Sequence, residues 1–215
     1  MKNRIVLLGP PATGKGTQAA LLSATFGIPA ASTGAILREE SRLGTDLGKE
    51  AALWTDQGSL FPDELALKVV WSWVDDKSRF VLDGFPRTVG QAHAFDEGLC
   101  TRNLPLDAVY FLELSDDDIR KRMLSRLTCK DCGSVFNETF HDVTLETPCP
   151  SCGGTLHRRA DDTVESLEQR LEQYREHTLP VAEHYRKSGL LRPVDSSSGR
   201  DAVFSELYED MKEAA

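Results

Sequence analysis

The stretch GPPATGKGT, residues 9–17, directly follows an apolar run at residues 5–8. A glycine, four residues and then Gly-Lys is the spacing of a loop whose backbone N–H groups surround phosphate, with the lysine following the β- and γ-phosphate oxygens. Gly16 stands where a hydroxyl residue usually helps to hold Mg²⁺, which leaves Thr17 as the candidate for that contact. A Gly/Pro turn with a solvated lysine gives a similar pattern. The buried strand before the loop and the helix after it favour phosphate binding.

A second candidate stretch, FVLDGFPRT at residues 80–88, places an aspartate at the end of a buried strand. Open α/β sheets bind ligands at the carboxyl ends of their strands, so Asp83 is predicted to hold Mg²⁺ through water. Arg87 follows a proline that fixes the local backbone, and an arginine held in this way can bind phosphate with two parallel hydrogen bonds. Each feature alone is also typical of a turn or of a solvent-facing arginine. Their combination with the first loop favours a second phosphate site.

Two CxxC pairs, separated by 16 residues, stand in the second half of the chain, and each is followed by a glycine. This spacing is typical of a structural zinc site, because four thiolates form a closed tetrahedral shell with no open position for catalysis. Free thiols, disulfides and a rubredoxin-like iron site are the alternatives. Cys100 stands alone and is predicted to be a packed or surface thiol. The predicted zinc ligands are Cys129, Cys132, Cys149 and Cys152.

The 215-residue chain carries a net charge of -9, which disfavours non-specific binding to nucleic acid or to an anionic membrane. Segment 128–158, which contains the CxxC pairs, holds two Lys or Arg against four Asp or Glu, so a nucleic-acid-binding zinc ribbon is disfavoured too. The apolar run near the N-terminus is too short for a signal peptide, and no stretch approaches the ~20 residues of a membrane span. We therefore expect a cytoplasmic protein, in which cysteines are more readily metal ligands than disulfides.

Short apolar runs alternate with stretches of helical periodicity, which predicts an α/β fold with a parallel sheet and helices on both of its faces. The runs cover residues 4–9, 28–32, 79–83, 108–114 and 190–195. Segment 128–158 breaks the alternation, and its glycines, Thr-Pro and scattered apolar residues predict small hairpins in an inserted subdomain. Segment 33–60 breaks it as well, with two or three short helical pieces separated by glycines. We interpret it as a candidate flap.

Taken together, GPPATGKGTQ, Ser32-Thr33-Gly34, Arg38, LDGFPRT and Gln91 resemble the nucleoside monophosphate kinases, and most closely the adenylate kinase family, whose phosphate loop reads Gly-Lys-Gly-Thr. The resemblance covers nearly the whole chain. It implies a P-loop NTPase-like five-stranded parallel sheet flanked by helices, a helical flap over the monophosphate and a long zinc-containing lid over ATP. The implied domains are a nucleotide-binding core at 1–31, 62–127 and 160–215, the flap at 32–61 and the lid at 128–159.

The resemblance also implies roles for individual residues. The positions implied to bind ATP are Ala12, Thr13, Gly14, Lys15, Gly16, Thr17, Arg126, Val135, Phe136 and, loosely aligned, Ser198. The positions implied to bind AMP are Thr33, Arg38, Ser59, Leu60, Phe61, Gly84, Phe85, Pro86, Arg87, Gln91, Arg159 and Arg170. The implied catalytic cations are Lys15, Arg38, Arg87, Arg122, Arg126, Arg159 and Arg170. Asp161 and Asp162 match hinge acids of the lid, and the chain departs from the family pattern at Ala12, usually glycine, and at Ala35, usually aspartate.

Three of the arginines also stand out without the resemblance. Arg122 and Arg126 are four residues apart and are predicted to share one face of a helix that begins after Ser115. Arg170 adjoins an apolar stripe, so all three are predicted to face a cleft. The alternative is that acidic residues early and basic residues late in a helix complement its dipole without any ligand.

Phosphoryl transfer needs positioning and charge neutralisation rather than a covalent nucleophile, and converging arginines supply both. The resemblance implies reversible transfer of the ATP γ-phosphoryl group to AMP, giving two ADP, by a monomer with Mg²⁺ on the donor phosphates. Gln91 is implied to meet N6 and N1 of adenine, because an amide can accept and donate at adjacent atoms. The alternatives are a kinase of another nucleoside monophosphate, a kinase with GTP as donor, and a nucleotide-sensing zinc-ribbon protein without transfer activity.

Overall fold

The computed structural model describes residues 1–55, 62–159 and 162–213, with residues 38 and 51–55 described in their backbone alone. Within these residues, parallel strands form one sheet: β1 (Arg4–Leu8), β2 (Ala30–Ser32), β3 (Phe80–Asp83), β4 (Ala108–Glu113) and β8 (Leu191–Asp195). Their order across the sheet is β2-β3-β1-β4-β8. A smaller antiparallel sheet consists of β5 (Arg126–Cys129), β6 (Val135–Asn137) and β7 (Leu156–His157), with β5 in the middle.

Helices connect the strands and cover the larger sheet. In the described part of the chain they are α1 (Lys15–Phe26), α2 (Thr33–Leu43), α3 (Asp46–Thr55), α4 (Asp63–Val74), α5 (Val89–Thr101), α6 (Asp116–Leu124), α7 (Val164–Gln173), α8 (Leu179–Lys187) and α9 (Arg200–Lys212). A π-helical turn, Tyr174–Thr178, joins α7 to α8, and a 3₁₀ turn, Ser196–Ser198, precedes α9. None of the helices described here combines the length and the apolar character that crossing a bilayer requires.

The parallel α/β architecture predicted from the alternating runs is confirmed, and each predicted apolar run contains a strand. Alternate side chains of β1 lie on opposite faces of the sheet. Val6 and Leu8 pack with residues of α4, α5 and α8, whereas Ile5 and Leu7 pack with residues of α1 and α9. A strand buried on both faces has to be apolar at every position, which is why the runs of the central strands β1, β3 and β4 are continuous rather than alternating. β2 begins two residues later than predicted, since the preceding Pro29 has no N–H to donate to the ladder.

The small hairpins predicted for segment 128–158 are confirmed. Leu127, Cys129, Val143, Cys149 and Leu156 form a buried core of their own, with Phe136 packed against it. β5 begins at Arg126, so this strand crosses the predicted boundary of the lid between residues 127 and 128. The first lid strand therefore follows helix α6 of the core after a single residue, Ser125. The domain boundaries themselves stay a prediction.

Helices α2 and α3 confirm the short helical pieces predicted within segment 33–60. They pack closely, because a Cβ built on Gly48 would lie 2.4 Å from the Glu40 carbonyl oxygen. Arg38 lies in α2, where the backbone alone is described. Of the residues implied to bind AMP, Ser59, Leu60 and Phe61 lie outside the described residues.

The prediction that Arg122 and Arg126 share one helix face is wrong. Helix α6 ends at Leu124, and the Ser125 hydroxyl donates to the Lys121 carbonyl at 2.5 Å. Arg126 then pairs with Asn137 in the antiparallel ladder between β5 and β6. Pairing with a distant strand overrides the local helical periodicity here. Arg122 consequently belongs to the core helix and Arg126 to the first strand of the lid.

Candidate active site

The loop between β1 and α1 presents the N-terminus of α1. Gly14, at φ +90°, is the last residue before the helix, and this left-handed backbone costs glycine little. The first N–H groups of a helix lack helical acceptors and carry the positive end of its dipole, so they favour an anion. The Thr13 hydroxyl, which is buried, donates to the Pro10 carbonyl at 3.1 Å and braces the loop. This local structure suits phosphate.

The Lys15 side chain folds back over the same loop. Its ammonium donates to the carbonyl oxygens of Gly9 at 3.0 Å and Pro10 at 2.6 Å. Burial lowers the pKa of Lys15 from its ordinary 10.5 to about 8, although the carboxylate of Asp83 acts in the opposite direction. The ammonium is therefore only partly protonated near pH 8.

Nucleotide binding at pH 8 is expected to take up protons. Phosphate oxygens beside the ammonium favour its charged form, so they raise the pKa of Lys15 above about 8 and the amine gains a proton. Calorimetric titration of ATP without Mg²⁺, repeated in buffers of different ionisation enthalpy, measures this uptake. At pH 6.5 the amine is already charged, and the uptake should disappear. Lys15→Arg, which is charged at both pH values, is the control, and uptake in that variant equal to the wild type would contradict the assignment.

Asp83 lies next to the phosphate loop because β1 and β3 are neighbours, with Leu7 paired to Asp83. A Cβ built on Gly16 would come within 3.2 Å of Asp83 Oδ2, which is tighter than ordinary van der Waals contact. Glycine after the lysine thus leaves room for this carboxylate, which explains the absence of the usual hydroxyl residue. Burial raises the pKa of Asp83, and the positive charges of Lys15 and Arg87 oppose that rise.

Arg87 follows a sharp bend after β3. Gly84 has φ +71°, the Phe85–Pro86 peptide bond is cis, and Arg87 Nε donates back to the Gly84 carbonyl at 2.9 Å. Phe85 itself is buried in the core, where its ring meets Phe95 edge to face, so this position can offer a ligand only its backbone. The bend holds the Arg87 guanidinium at the carboxyl edge of the sheet.

Several charges converge at this edge. Asp83, Arg87 and Arg126 each act electrostatically on Lys15, and Arg170 acts on Arg87. These cations come from different elements: α1, the loop after β3, β5 and α7. Like charges repel at such short range, so the cluster is favourable where an anion with several charges lies among them. The structure thus brings together four of the predicted catalytic cations with the predicted magnesium ligand.

Two of the lid arginines bond to neighbouring side chains. Arg126 forms a bidentate ion pair with Asp162, with Nε donating to Oδ2 at 2.8 Å, and the Asp162 side chain is 2% exposed. Arg159 Nε donates to Thr128 Oγ1 at 3.0 Å. Asp161, the other predicted hinge acid, lies outside the described residues. A phosphate that recruited Arg126 would have to compete with the Asp162 carboxylate.

Arg122, on α6, contacts the turn before α9. It donates to the Ser196 carbonyl at 2.8 Å, and its guanidinium carbon is 5.3 Å from the centre of the Phe140 ring. The Phe140 side chain is 61% exposed. The sequence did not indicate its contact with Arg122, because an isolated aromatic residue in a polar hairpin belongs to no motif. Ser198 lies in the same turn, where its hydroxyl donates to the Asp195 carbonyl at 2.9 Å.

The residues predicted to contact the ATP base lie on the lid strand β6. Val135 is exposed, whereas Phe136 packs against the lid core. β6 pairs with β5, which begins with Arg126, so the positions of Val135 and Phe136 relative to Arg126 are fixed by the ladder between these two strands.

The residues predicted to read the AMP base are buried. Thr33 begins α2, next to Ser32, whose hydroxyl caps that helix by accepting from the Ala35 N–H at 3.1 Å. Gln91, which is 2% exposed, uses both ends of its amide: Oε1 accepts from the Arg87 N–H and Nε2 donates to Asp63, each at 2.8 Å. Asp63 was missed at the sequence level because an acidic residue at a helix start is common.

The two CxxC pairs meet in the lid. The Sγ atoms of Cys129 and Cys152 are 3.5 Å apart, those of Cys132 and Cys149 are 3.7 Å apart, and all four lie within 4.8 Å of one another. A tetrahedral zinc site with Zn–S bonds of ~2.3 Å needs S–S separations of about 3.8 Å. These sulfur positions fit such a site and are too far apart for disulfide bonds. Cys100 was predicted to be either a packed or a surface thiol, and the structure places it as an exposed thiol on α5.

Comparison with known proteins assigns this arrangement to a family. A family model described as adenylate kinase matches residues 7–190 of the chain. The chain belongs to the adenylate kinase family. It is 44% identical over 207 residues to the adenylate kinase of Thermodesulfovibrio yellowstonii, covering 95% of this chain and 96% of that protein. It is 40% identical over 206 residues to the adenylate kinase of Archaeoglobus fulgidus, covering 94% and 95% of the two chains, and 40% identical over 214 residues to that of Methanosarcina barkeri, covering 98% and 99%.

One departure from the adenylate kinase pattern has a visible structural consequence. Ala12 adopts φ +61°, a left-handed backbone that costs a residue with a Cβ about 1–2 kcal/mol. Its methyl group packs against an apolar cluster formed by residues of α6 and α7, among them Met123 and Leu167. The phosphate loop is thereby attached to the helices on either side of the lid. At the second departure, Ala35 donates its backbone N–H to the Ser32 hydroxyl at 3.1 Å, a contact that does not depend on the side chain at this position.

Proposed function

We propose that this chain catalyses reversible transfer of the γ-phosphoryl group from ATP with Mg²⁺ to AMP, giving two ADP. An oxygen of the AMP phosphate attacks the γ-phosphorus, the bond from that phosphorus to the β–γ bridging oxygen breaks, and ADP leaves. A cytoplasmic location, a monomeric state, a place in nucleotide biosynthesis and the absence of nucleic-acid and membrane partners belong to this proposal as predictions from the sequence.

The observation that carries the proposal is the convergence of Lys15, Arg87, Arg126 and Arg170 around the edge where β1 and β3 end. The phosphate loop after β1 provides one anion site, and the Arg87 bend after β3 provides a second one beside it. A protein that only sensed a nucleotide would need one such site. Two anchors on neighbouring strands hold a donor and an acceptor phosphate next to each other, which is what transfer requires.

Each cation has a proposed task. Lys15 and Arg126 stabilise the charge on the donor phosphates, while Arg87 and Arg170 hold the acceptor phosphate. Arg38, Arg122 and Arg159 are proposed members of the same set. Charge is neutralised at the transferring group by side chains that the fold has already positioned, and no covalent intermediate with the protein is needed.

Magnesium fits the residues at the same edge. Asp83, through water, and Thr17 would hold it, and hard carboxylate and hydroxyl oxygens are ligands that this ion prefers. When bound with ATP, Mg²⁺ neutralises part of the donor phosphate charge.

Zinc is the metal proposed for the lid. The Cys129, Cys132, Cys149 and Cys152 sulfurs would form a closed shell that holds the hairpins together in place of a large apolar core. Its role is structural.

A coupled assay of ADP formation tests the proposed function. ATP and GTP are compared as donors, and AMP, GMP, UMP and CMP as acceptors. We expect ATP with AMP to give the highest kcat/KM. Comparable values for AMP and UMP would favour a kinase of another nucleoside monophosphate. Nucleotide binding without turnover would favour the nucleotide-sensing alternative.

Gln91→Ala is expected to lower the preference for AMP over UMP more than it lowers kcat with AMP. Sites that pair with a base through specific hydrogen bonds can reject analogues by ~10⁴–10⁵, because a wrong base leaves buried polar groups without partners. Gln18→Ala is the matched control: this glutamine is equally buried, but its amide donates to the Arg200 carbonyl at 2.9 Å. Unchanged selectivity in Gln91→Ala would contradict the role in base recognition.

A further inference from the structure

Asp63, the first residue of α4, bonds directly to a residue of the proposed acceptor site. Its Oδ1 accepts from Gln91 Nε2 at 2.8 Å, and its Oδ2 accepts from Thr88 Oγ1 at 2.9 Å. On the other side, Gln91 Oε1 accepts from the Arg87 N–H at 2.8 Å. Since Gln91 is 2% exposed, its amide is held from two sides inside the protein.

The chemistry of these two partners determines which way the amide faces. A carboxylate only accepts, so it takes the N–H end of the Gln91 amide, and a backbone N–H only donates, so it takes the oxygen end. Turning the amide over would place two acceptors together at Asp63 and two donors together at Arg87. In the orientation present, one N–H of Nε2 and one lone pair of Oε1 remain available to a ligand.

The carboxylate that orients Gln91 is itself held in place. Thr88 Oγ1, which donates to Asp63, also accepts from the Gln91 N–H at 3.1 Å as the cap of α5. A Cβ built on Gly90 would lie 2.8 Å from Asp63 Oδ2, so glycine at this position is what permits the approach of α4 to α5. With both oxygens engaged, the carboxylate has little freedom to rotate away from Gln91.

A base edge can distinguish the two orientations of an amide. A 6-aminopurine offers a donor at its amino group and an acceptor at the neighbouring ring nitrogen, whereas a 6-oxopurine offers an acceptor and a donor at the same places. Building on the proposed function, in which Gln91 meets the acceptor base, we propose that Asp63 is a positioning residue. It holds the Gln91 amide in the orientation that selects 6-aminopurine over 6-oxopurine nucleoside monophosphates.

AMP and IMP are the test pair, because they differ only at this edge of the base. We expect Asp63→Ala to lower the AMP to IMP ratio of kcat/KM by about 10- to 100-fold, the factor for losing a hydrogen bond to a charged group. Asp63→Asn keeps the size and one oxygen but loses the charge, so its ratio should lie between wild type and Asp63→Ala. The conservative variant keeps the test decisive where the alanine variant does not fold.

Thr88→Val is the matched control. It removes the hydrogen bond to the other carboxylate oxygen and the cap of α5, while the bond between Asp63 and Gln91 remains. Its melting temperature should fall, and its AMP to IMP ratio should fall by much less than in Asp63→Ala, because the carboxylate still accepts from Gln91. A structural role of Asp63 would instead lower stability and overall turnover without changing the ratio.

The outcomes separate the two proposals. A wild-type AMP to IMP ratio in the Asp63 variants overturns the role of Asp63, and the function stands if AMP is still the preferred acceptor. An equal fall in Thr88→Val also overturns it, because the loss then comes from local packing. Equal use of AMP and IMP by the wild-type protein overturns it as well. A wild-type protein that transfers no phosphoryl group to AMP overturns the proposed function instead.

Discussion

Lys15→Met is expected to lower kcat by about 10²–10³-fold, the loss typical of removing one donor that stabilises the transition state. Methionine keeps much of the side-chain length but removes the charge at the transferred phosphoryl group. Within the described part of the chain, the ammonium bonds to atoms of its own loop, among them the carbonyls of Gly9 and Pro10, so the fold should survive its loss. Measurement of kcat at saturating ATP and AMP, together with the melting temperature, checks both parts.

Lys121→Met is the control for this prediction, since it makes the same chemical change on a side chain that is 72% exposed. The Lys121 ammonium lies 3.8 Å from Asp118 Oδ1, a surface ion pair that contributes little to stability. Arg87→Ala should resemble Lys15→Met. Arg126→Ala is harder to interpret, because it leaves the buried Asp162 without its ion-pair partner. Arg126→Ala combined with Asp162→Asn removes that complication. Wild-type kcat in the Lys15, Arg87 and combined variants would refute the active-site assignment.

Removing the lid metal is the second change with a large expected effect. We expect about one zinc per chain by elemental analysis, and unfolding of the lid before the core when a strong chelator is added. Metal binding contributes roughly 10–16 kcal/mol apparent to the folding of zinc-finger peptides, and a lid attached to a folded core should depend on it less. Hydrogen exchange should therefore rise first in β5, β6 and β7, and the melting temperature should fall.

Single Cys→Ser changes at Cys132 and Cys152 should reproduce the effect of chelation. Cys100→Ser is the control, because this exposed cysteine lies on α5 outside the cluster. A metal-free protein of unchanged stability would end the zinc proposal. Iron in place of zinc would change only the identity of the metal.

Much of this fold is determined by short-range sequence signals. The three central strands of the parallel sheet, β3, β1 and β4, are apolar runs, because burial on both faces requires one. Helices α5 and α6 begin after the capping residues Thr88 and Ser115. The phosphate loop and the two CxxC pairs are local as well, since their chemistry depends on residue types at fixed spacing. For this reason the family, the architecture and the metal cluster could be predicted from the sequence.

The tertiary structure alone decided how distant residues meet. Arg126 looked helical by its spacing from Arg122, but pairing with Asn137 placed it in a lid strand, where it binds Asp162. Asp83 lies close to Gly16 because β1 and β3 are neighbours in the sheet, although the two residues are far apart along the chain. Such contacts have no periodicity or spacing in the sequence, because they are set by the packing of whole elements.

Gln91, which is proposed to bind the acceptor base, shows the same difference between what the sequence and the tertiary structure determine. The sequence singled out Gln91 through its place after LDGFPRT, whereas the orientation of its amide depends on Asp63, at the start of a different helix. An aspartate at a helix start has a sufficient local reason to be there, so nothing in the sequence connects it with Gln91. The sequence therefore determined which side chains are present for chemistry, and the packing of α4 against α5 decided how one of them faces its ligand.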